Sequence, residues 1–113
     1  MRLVTALIAL SAAALTTAAR AGDDGATVVL TLKDHRFTPA SVTVPAGQKV
    51  RIELINQDAA VEEFDSADLG VERDVTPHGR TSFTIGPLKP GTYSFMGELH
   101  ADTAQGEIKA VAG

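Results

Sequence analysis

Apolar and polar positions alternate along this chain in short runs, a pattern that predicts strands rather than helices. Residues 27–32 (TVVLTL) are β-branched and apolar, and period-two geometry puts Val28, Leu30 and Leu32 on one face. Phe37-Thr38-Pro39 breaks that run. A second short strand, 42–44 (VTV), follows and ends at the turn signal Pro45-Ala46-Gly47. Residues 49–54 (KVRIEL) alternate cleanly, with Val50, Ile52 and Leu54 inward and Lys49, Arg51 and Glu53 outward, as in a half-buried antiparallel strand. Residues 56–60 read as a loop and 62–65 as a short strand. Residues 67–76 show no period, which leaves a single helical turn or an irregular crossover open. Pro77-His78-Gly79 is a turn. Alternation returns at 80–85, with Phe83 and Ile85 on the core face, then at 92–95 with its aromatics on one side, and 105–111 forms a last strand. About seven short strands between Gly/Pro turns, with no long helical period and no internal repeat, predict an all-β Greek-key sandwich in one domain over residues 27–113.

The first 21 residues have a different order. Met1-Arg2 carries a positive charge, residues 3–19 (LVTALIALSAAALTTAA) are apolar or small, and Ala19-Arg20-Ala21 fits a small-x-small exit. That order predicts a secretory signal peptide over 1–21, and hence a periplasmic protein. A membrane anchor is the alternative, but the strongly apolar part is short for a span and diluted by Ser, Thr and Ala. Residues 22–26 are polar and Gly-rich and read as a flexible start. Cleavage after Ala21 would leave 92 of the 113 residues. It would remove Arg2 and Arg20 and keep all 14 acids, taking the formal charge from −4 to −6.

That acidity argues against a nucleic-acid partner, which calls for a basic patch. The chain has no Cys. Disulfides, thiolate zinc sites, iron–sulfur clusters, a thiol nucleophile and a lipoprotein anchor are therefore excluded. Nucleophile-elbow, P-loop, zincin and dinucleotide fingerprints are missing too. Three histidines, His35, His78 and His100, together with the carboxylates, leave a metal site of nitrogen and oxygen donors as the chemistry still open.

Phe37-Thr38-Pro39-Ala40-Ser41-Val42-Thr43-Val44-Pro45-Ala46-Gly47 resembles the opening of cupredoxin domains, and the strand after it ends, as in that family, at an Asn, Asn56. Leu88-Lys89-Pro90-Gly91-Thr92-Tyr93-Ser94-Phe95 resembles the family's lead into the metal loop, and Gly106-Glu107-Ile108 the strand beyond it. The likeness runs from about residue 27 to 111 and implies a cupredoxin-like sandwich. At the ligands the sequence departs from it. Glu62 of Glu62-Glu63-Phe64 stands where the resemblance implies the upstream His. Gly97 stands where it implies the Cys, and Thr103 or Ala104 where it implies the axial Met, while His100 matches the downstream His. Type 1 blue copper, which needs two His and a thiolate, is therefore excluded.

The acidic stretch 62–66, the Glu98-Leu99-His100 sequence and Asp34-His35-Arg36-Phe37 resemble a narrower branch, the Cys-less, EfeO-type cupredoxin-like proteins. This resemblance implies a periplasmic accessory of ferrous-iron or copper uptake, with an inner-membrane iron permease or another uptake component as partner. Any catalysis would be at most a metal-centred oxidation of Fe(II).

Carboxylate and imidazole suit Fe, Mn, Zn or Cu(II), whereas thiolate and thioether favour Cu(I). The candidate ligands are Glu62, Glu98, His100, Met96 and His35, and the expected ion is Cu or Fe. Glu62 shares a face with Phe64, where a carboxylate is costly unless paired or bound to a cation; the alternative is an exposed acidic loop. In an extended loop Met96, Glu98 and His100 project together; in a turn Gly97 faces the site and Met96 and Glu98 diverge. Met96 is either a ligand or core filler. His35 shares a face with Phe37 if that stretch is extended, or is a surface His. His78, Glu72, Asp74 and Asp102 read as solvent-facing. A second function stands beside metal binding: a metal-free degenerate cupredoxin kept as a protein-interaction module.

Overall fold

A computed structural model describes residues 26–113. Nine strands follow in order: β1 (Ala26–Lys33), β2 (Arg36–Thr38), β3 (Ser41–Pro45), β4 (Val50–Asn56), β5 (Glu62–Ser66), β6 (Val71–Val75), β7 (Arg80–Ile85), β8 (Gly91–Gly97) and β9 (Gln105–Val111). A single 3₁₀ turn, Glu98–His100, joins β8 to the loop before β9. The strands form two sheets, ordered β2-β1-β4-β7 and β3-β9-β8-β5-β6. Among the described residues no helix is long and apolar enough to cross a membrane. The predicted leader over 1–21 lies outside the described residues, as does most of the flexible start over 22–26. Ala26, expected in that start, is already paired with Val50 in β1.

The alternation seen in the sequence becomes the core. Leu30, Leu32, Ile52, Leu54, Phe83 and Ile85 come from one sheet, and Val44, Phe64, Val75, Phe95, Ile108 and Ala110 from the other, all buried. Two stacked sheets bury one face each, so every second residue on these strands is apolar. The four Phe residues meet at one end: Phe64 lies 4.9 Å from Phe95 and 5.1 Å from Phe83, and Phe37 meets Phe95 edge-on at 5.1 Å. Gly106 makes room for this cluster, since a Cβ there would sit 2.4 Å from the Phe95 ring.

The all-β sandwich agrees with the sequence expectation, but the strand count is nine rather than about seven. Residues 67–76, left without a period, hold a tight turn at 67–70 and the edge strand β6. In Val71-Glu72-Arg73-Asp74-Val75 the inward middle position is Arg73, whose guanidinium lies 5.4 Å over the Phe83 ring. A charged residue at an inward position hides the alternation. The other addition, β2, is three residues long and ends before Pro39, where a break had been expected.

Candidate metal centre

Glu62 opens β5, two residues before Phe64, and the strand's period turns both inward at the same end of the sandwich. Its carboxylate is fully buried and fully engaged. Oε1 accepts from the backbone N–H groups of Glu63 (3.0 Å) and Leu99 (2.9 Å). Oε2 lies 2.7 Å from Nδ1 of His100. When the carboxylate is ionised it can only accept, so the contact then needs a proton on Nδ1, which in the neutral ring puts the free lone pair on Nε2.

The backbone around this pair fixes its geometry. Gly97, the last residue of β8, faces Phe64 across the ladder and donates to the Ala104 carbonyl at 2.8 Å. A Cβ at position 97 would sit 2.6 Å from Glu62 Cδ and 2.9 Å from the Ala104 Cβ. Glycine is needed there because the Glu62 carboxylate fills the space a side chain would take. The 3₁₀ turn then swings His100 back over Glu62, and the His100 carbonyl accepts from Ala104 N at 2.9 Å, closing the loop.

A second imidazole covers the first. The rings of His35 and His100 stack with centroids 3.6 Å apart and planes 15° apart. His35 does not lie on an extended segment. Asp34 and His35 both have positive φ, 54° and 59°, and make the tight β1–β2 turn. Asp58 holds that turn, its two oxygens accepting from Asp34 N (2.7 Å) and His35 N (3.0 Å). Partial burial raises the Asp58 pKa, but the bonds from His35 and Asp34 and the nearby His35 and His100 rings outweigh it, holding the carboxyl below its ordinary value. Thr103 Oγ1 donates to the His35 carbonyl at 2.6 Å. An open depression of about 340 Å³, lined by His35, Leu99, His100, Ala101, Asp102 and Thr103, lies over the stacked rings.

Of the five expected ligands, the structure brings Glu62, His100 and His35 together. Neither alternative for Met96 holds: it is exposed, on the outer face of β8 opposite Asp65, away from His100 and outside the core. Glu98 starts the 3₁₀ turn exposed and faces Glu63 rather than Glu62. The loop thus takes the turn arrangement, with Gly97 toward the site and its two neighbours diverging. Glu62 is not on an exposed acidic loop. In the sequence Asp58 reads as part of a polar loop. Its cue was the Asn56-Gln57-Asp58 sequence, which forms an Asx turn with Asp58 N donating to Asn56 Oδ1 at 2.9 Å.

The donors do not fit a thiolate-bound copper, because Gly97 and Glu62 occupy the places where the resemblance implies Cys and His. Nor do the three clustered groups chelate as they stand. An ion lies in the plane of each imidazole that binds it, and two parallel rings share no such point. The Glu62 oxygens already meet three donors. Among the described residues no group of three or more His, Asp or Glu is arranged to hold a metal. A single imidazole-anchored ion does fit. Nδ1 of His100 is oriented by a buried carboxylate, and the ring borders an open depression that an ion can enter. Metal-binding imidazoles usually have their second nitrogen tied in this way, which fixes the tautomer and raises donor strength.

Comparisons with known proteins agree with the fold. The model of the Cupredoxin-like domain family matches residues 4–110. A Rickettsia prowazekii protein, itself uncharacterized, is 47% identical over 81 residues, covering 72% of this chain and 65% of its own length. The chain thus spans just under two thirds of that relative. Auracyanin A, a "blue" copper protein of Chloroflexus aurantiacus, superposes with a TM-score of 0.65 at 17% identity, over 77% of this chain and all of that one. The metal-binding domain of a Streptococcus pneumoniae Cu(I)-exporting P-type ATPase, solved with Cu(I), gives a TM-score of 0.67 at 13% identity, over 79% and 89% of the two chains.

Proposed function

The chain belongs to the cupredoxin-like domain family, and from that premise we propose that it binds a copper or iron ion through Nε2 of His100 and serves metal uptake in the periplasm. The observation that carries this is the 2.7 Å contact between the buried Glu62 carboxylate and His100 Nδ1. It leaves the second nitrogen free on a ring that borders an open depression. Glu62 is a positioning residue: it acts on the ion only through His100. His35 covers the ring and leaves the stack if it supplies a second donor. When bound, the ion adds a charged, exchangeable group at the tip of the sandwich, which suits hand-over to a membrane permease better than storage. Export rests on the charged, apolar and small-residue order of residues 1–21.

One observation favours the second reading, a metal-free interaction module. Glu62 bonds directly to His100 and to two backbone amides, so protein donors alone satisfy the buried carboxylate. Titration calorimetry separates the two. The metal-free domain is titrated with Cu(II), Zn(II), Mn(II) and, without air, Fe(II). The expected result is one ion per chain, lost in His100→Ala. If the wild type binds no ion more tightly than the His100→Ala/Glu62→Ala double variant, the metal reading fails and the interaction module takes its place.

A further inference from the structure

The outer face of β5 and β6 breaks the usual rule for neighbouring strands. Glu63 stands directly opposite Asp74, and Asp65 directly opposite Glu72, all four on the side away from the core. Like charges at cross-strand positions destabilise a sheet. Among the described residues no ion pair reaches them: Arg73, the basic residue on these two strands, is exposed with its guanidinium over the Phe83 ring. The Lys and Arg ion pairs among the described residues lie elsewhere, Arg51 and Arg80 with Glu53 and Lys109 with Glu107. Partial burial and the nearby Glu98, Glu72 and Asp74 carboxylates push the Glu63 pKa upward, so the crowding is felt at the residue itself. Beside this face runs a groove of about 330 Å³ with Phe95 and the exposed Met96 along it and Asp65 and Asp68 on its rim.

We propose that the outer face of β5 and β6, with the groove at Met96, docks a basic segment of a partner protein, its Lys or Arg side chains answering the paired carboxylates and an apolar side chain entering the groove. The charge pattern selects the partner: a cationic chain neutralises both like-charge pairs at once, whereas a neutral apolar peptide leaves them facing each other. Met96 suits the apolar contact because its unbranched, polarisable side chain adapts to varied shapes. This surface does not depend on a metal at His100.

The test is a titration of the isotope-labelled protein with a short synthetic peptide alternating lysine and leucine, followed by amide chemical shifts, with a glutamate–leucine peptide as control. Shifts are expected to concentrate on β5, β6 and the groove around Met96. Raising NaCl from about 20 mM to about 300 mM should weaken binding about tenfold. The Asp65→Asn/Glu72→Gln variant should weaken it by about the same factor. These positions are exposed or half-buried, so the variant should fold, and a thermal melt checks that it does. Shifts spread over the whole surface, or centred on Glu53 or Glu107, overturn the proposal, as does unchanged binding by the variant. Tight binding of Mg²⁺ by this face with exclusion of the peptide, or self-association through it, likewise overturns it.

Discussion

Glu62 and His100 are 38 positions apart in sequence and 2.7 Å apart in space, one on a core strand and one on the turn that directly follows β8. The contact makes one buried carboxylate the fastening of the whole loop between β8 and β9, because the same group also accepts from Leu99 N on that turn.

Removing this carboxylate strands its donors. Glu62→Ala leaves the Leu99 and Glu63 amides and the His100 ring, all part-buried, without their acceptor, and should cost about 2–4 kcal/mol of stability. Glu62→Gln keeps an oxygen acceptor and should cost about half as much. Urea denaturation of both variants checks the order; equal losses would mean that the carboxylate's charge, and not its volume or its acceptor oxygen, sets the effect.

Position 97 has no room for a methyl group. Gly97→Ala should destabilise by about 1–3 kcal/mol, since the new Cβ meets Glu62 on one side and Ala104 on the other. The same substitution at Gly47, where a Cβ meets nothing within 4 Å, tests space against backbone conformation, because φ there is +80°. Thermal melts should show a loss at 97 accompanied by new amide shifts at Leu99 and His100, and a loss at 47 without them.

Acid should act on two carboxyls with opposite sign. Asp58 sits below its ordinary value in the fold, so its contribution is present above the unfolded pKa, near 4, and is lost as pH falls through the folded one. Asp58→Asn should therefore flatten the acid limb of the stability curve. Glu63 sits above its ordinary value, so the fold is penalised at neutral pH and relieved as pH falls through the raised value. Glu63→Gln should stabilise at neutral pH and lose that advantage in acid. Denaturation midpoints of both variants from neutral pH down to about pH 3 would show whether the two effects diverge.

His35 offers a readout of how many imidazoles an ion uses. His35→Asn keeps a residue tolerant of positive φ and retains the N–H to Asp58, while removing the stacked ring. If His100 alone anchors the ion, affinity should change less than about threefold, which is under 1 kcal/mol. A loss of about tenfold or more would assign His35 as a second donor.

Much of this was legible beforehand because the relevant physics is local. The inward Val50, Ile52 and Leu54, and Phe83 with Ile85, announce their strands by simple alternation. The inward direction of Glu62 follows from Phe64 two residues on. What stayed hidden depends on partners far along the chain. Met96 reads as core or ligand until β8 is paired and its outward face is known. β6 is masked because Arg73 takes an inward place by laying its guanidinium over a ring instead of burying an aliphatic side chain. Asp58 looks like loop polarity until it is seen to hold the Asp34-His35 turn, and the stacking of His35 on His100 joins residues 65 positions apart, which no spacing rule supplies.

The bare backbone at position 97 also bears on how such a chain can change. Placing a cysteine there would drive its Cβ into the carboxylate of Glu62, so a thiol at this position demands a simultaneous exchange of Glu62 itself. Two coordinated substitutions, each harmful alone, therefore separate the present loop from one with a thiol at position 97, and the barrier between them is steric exclusion.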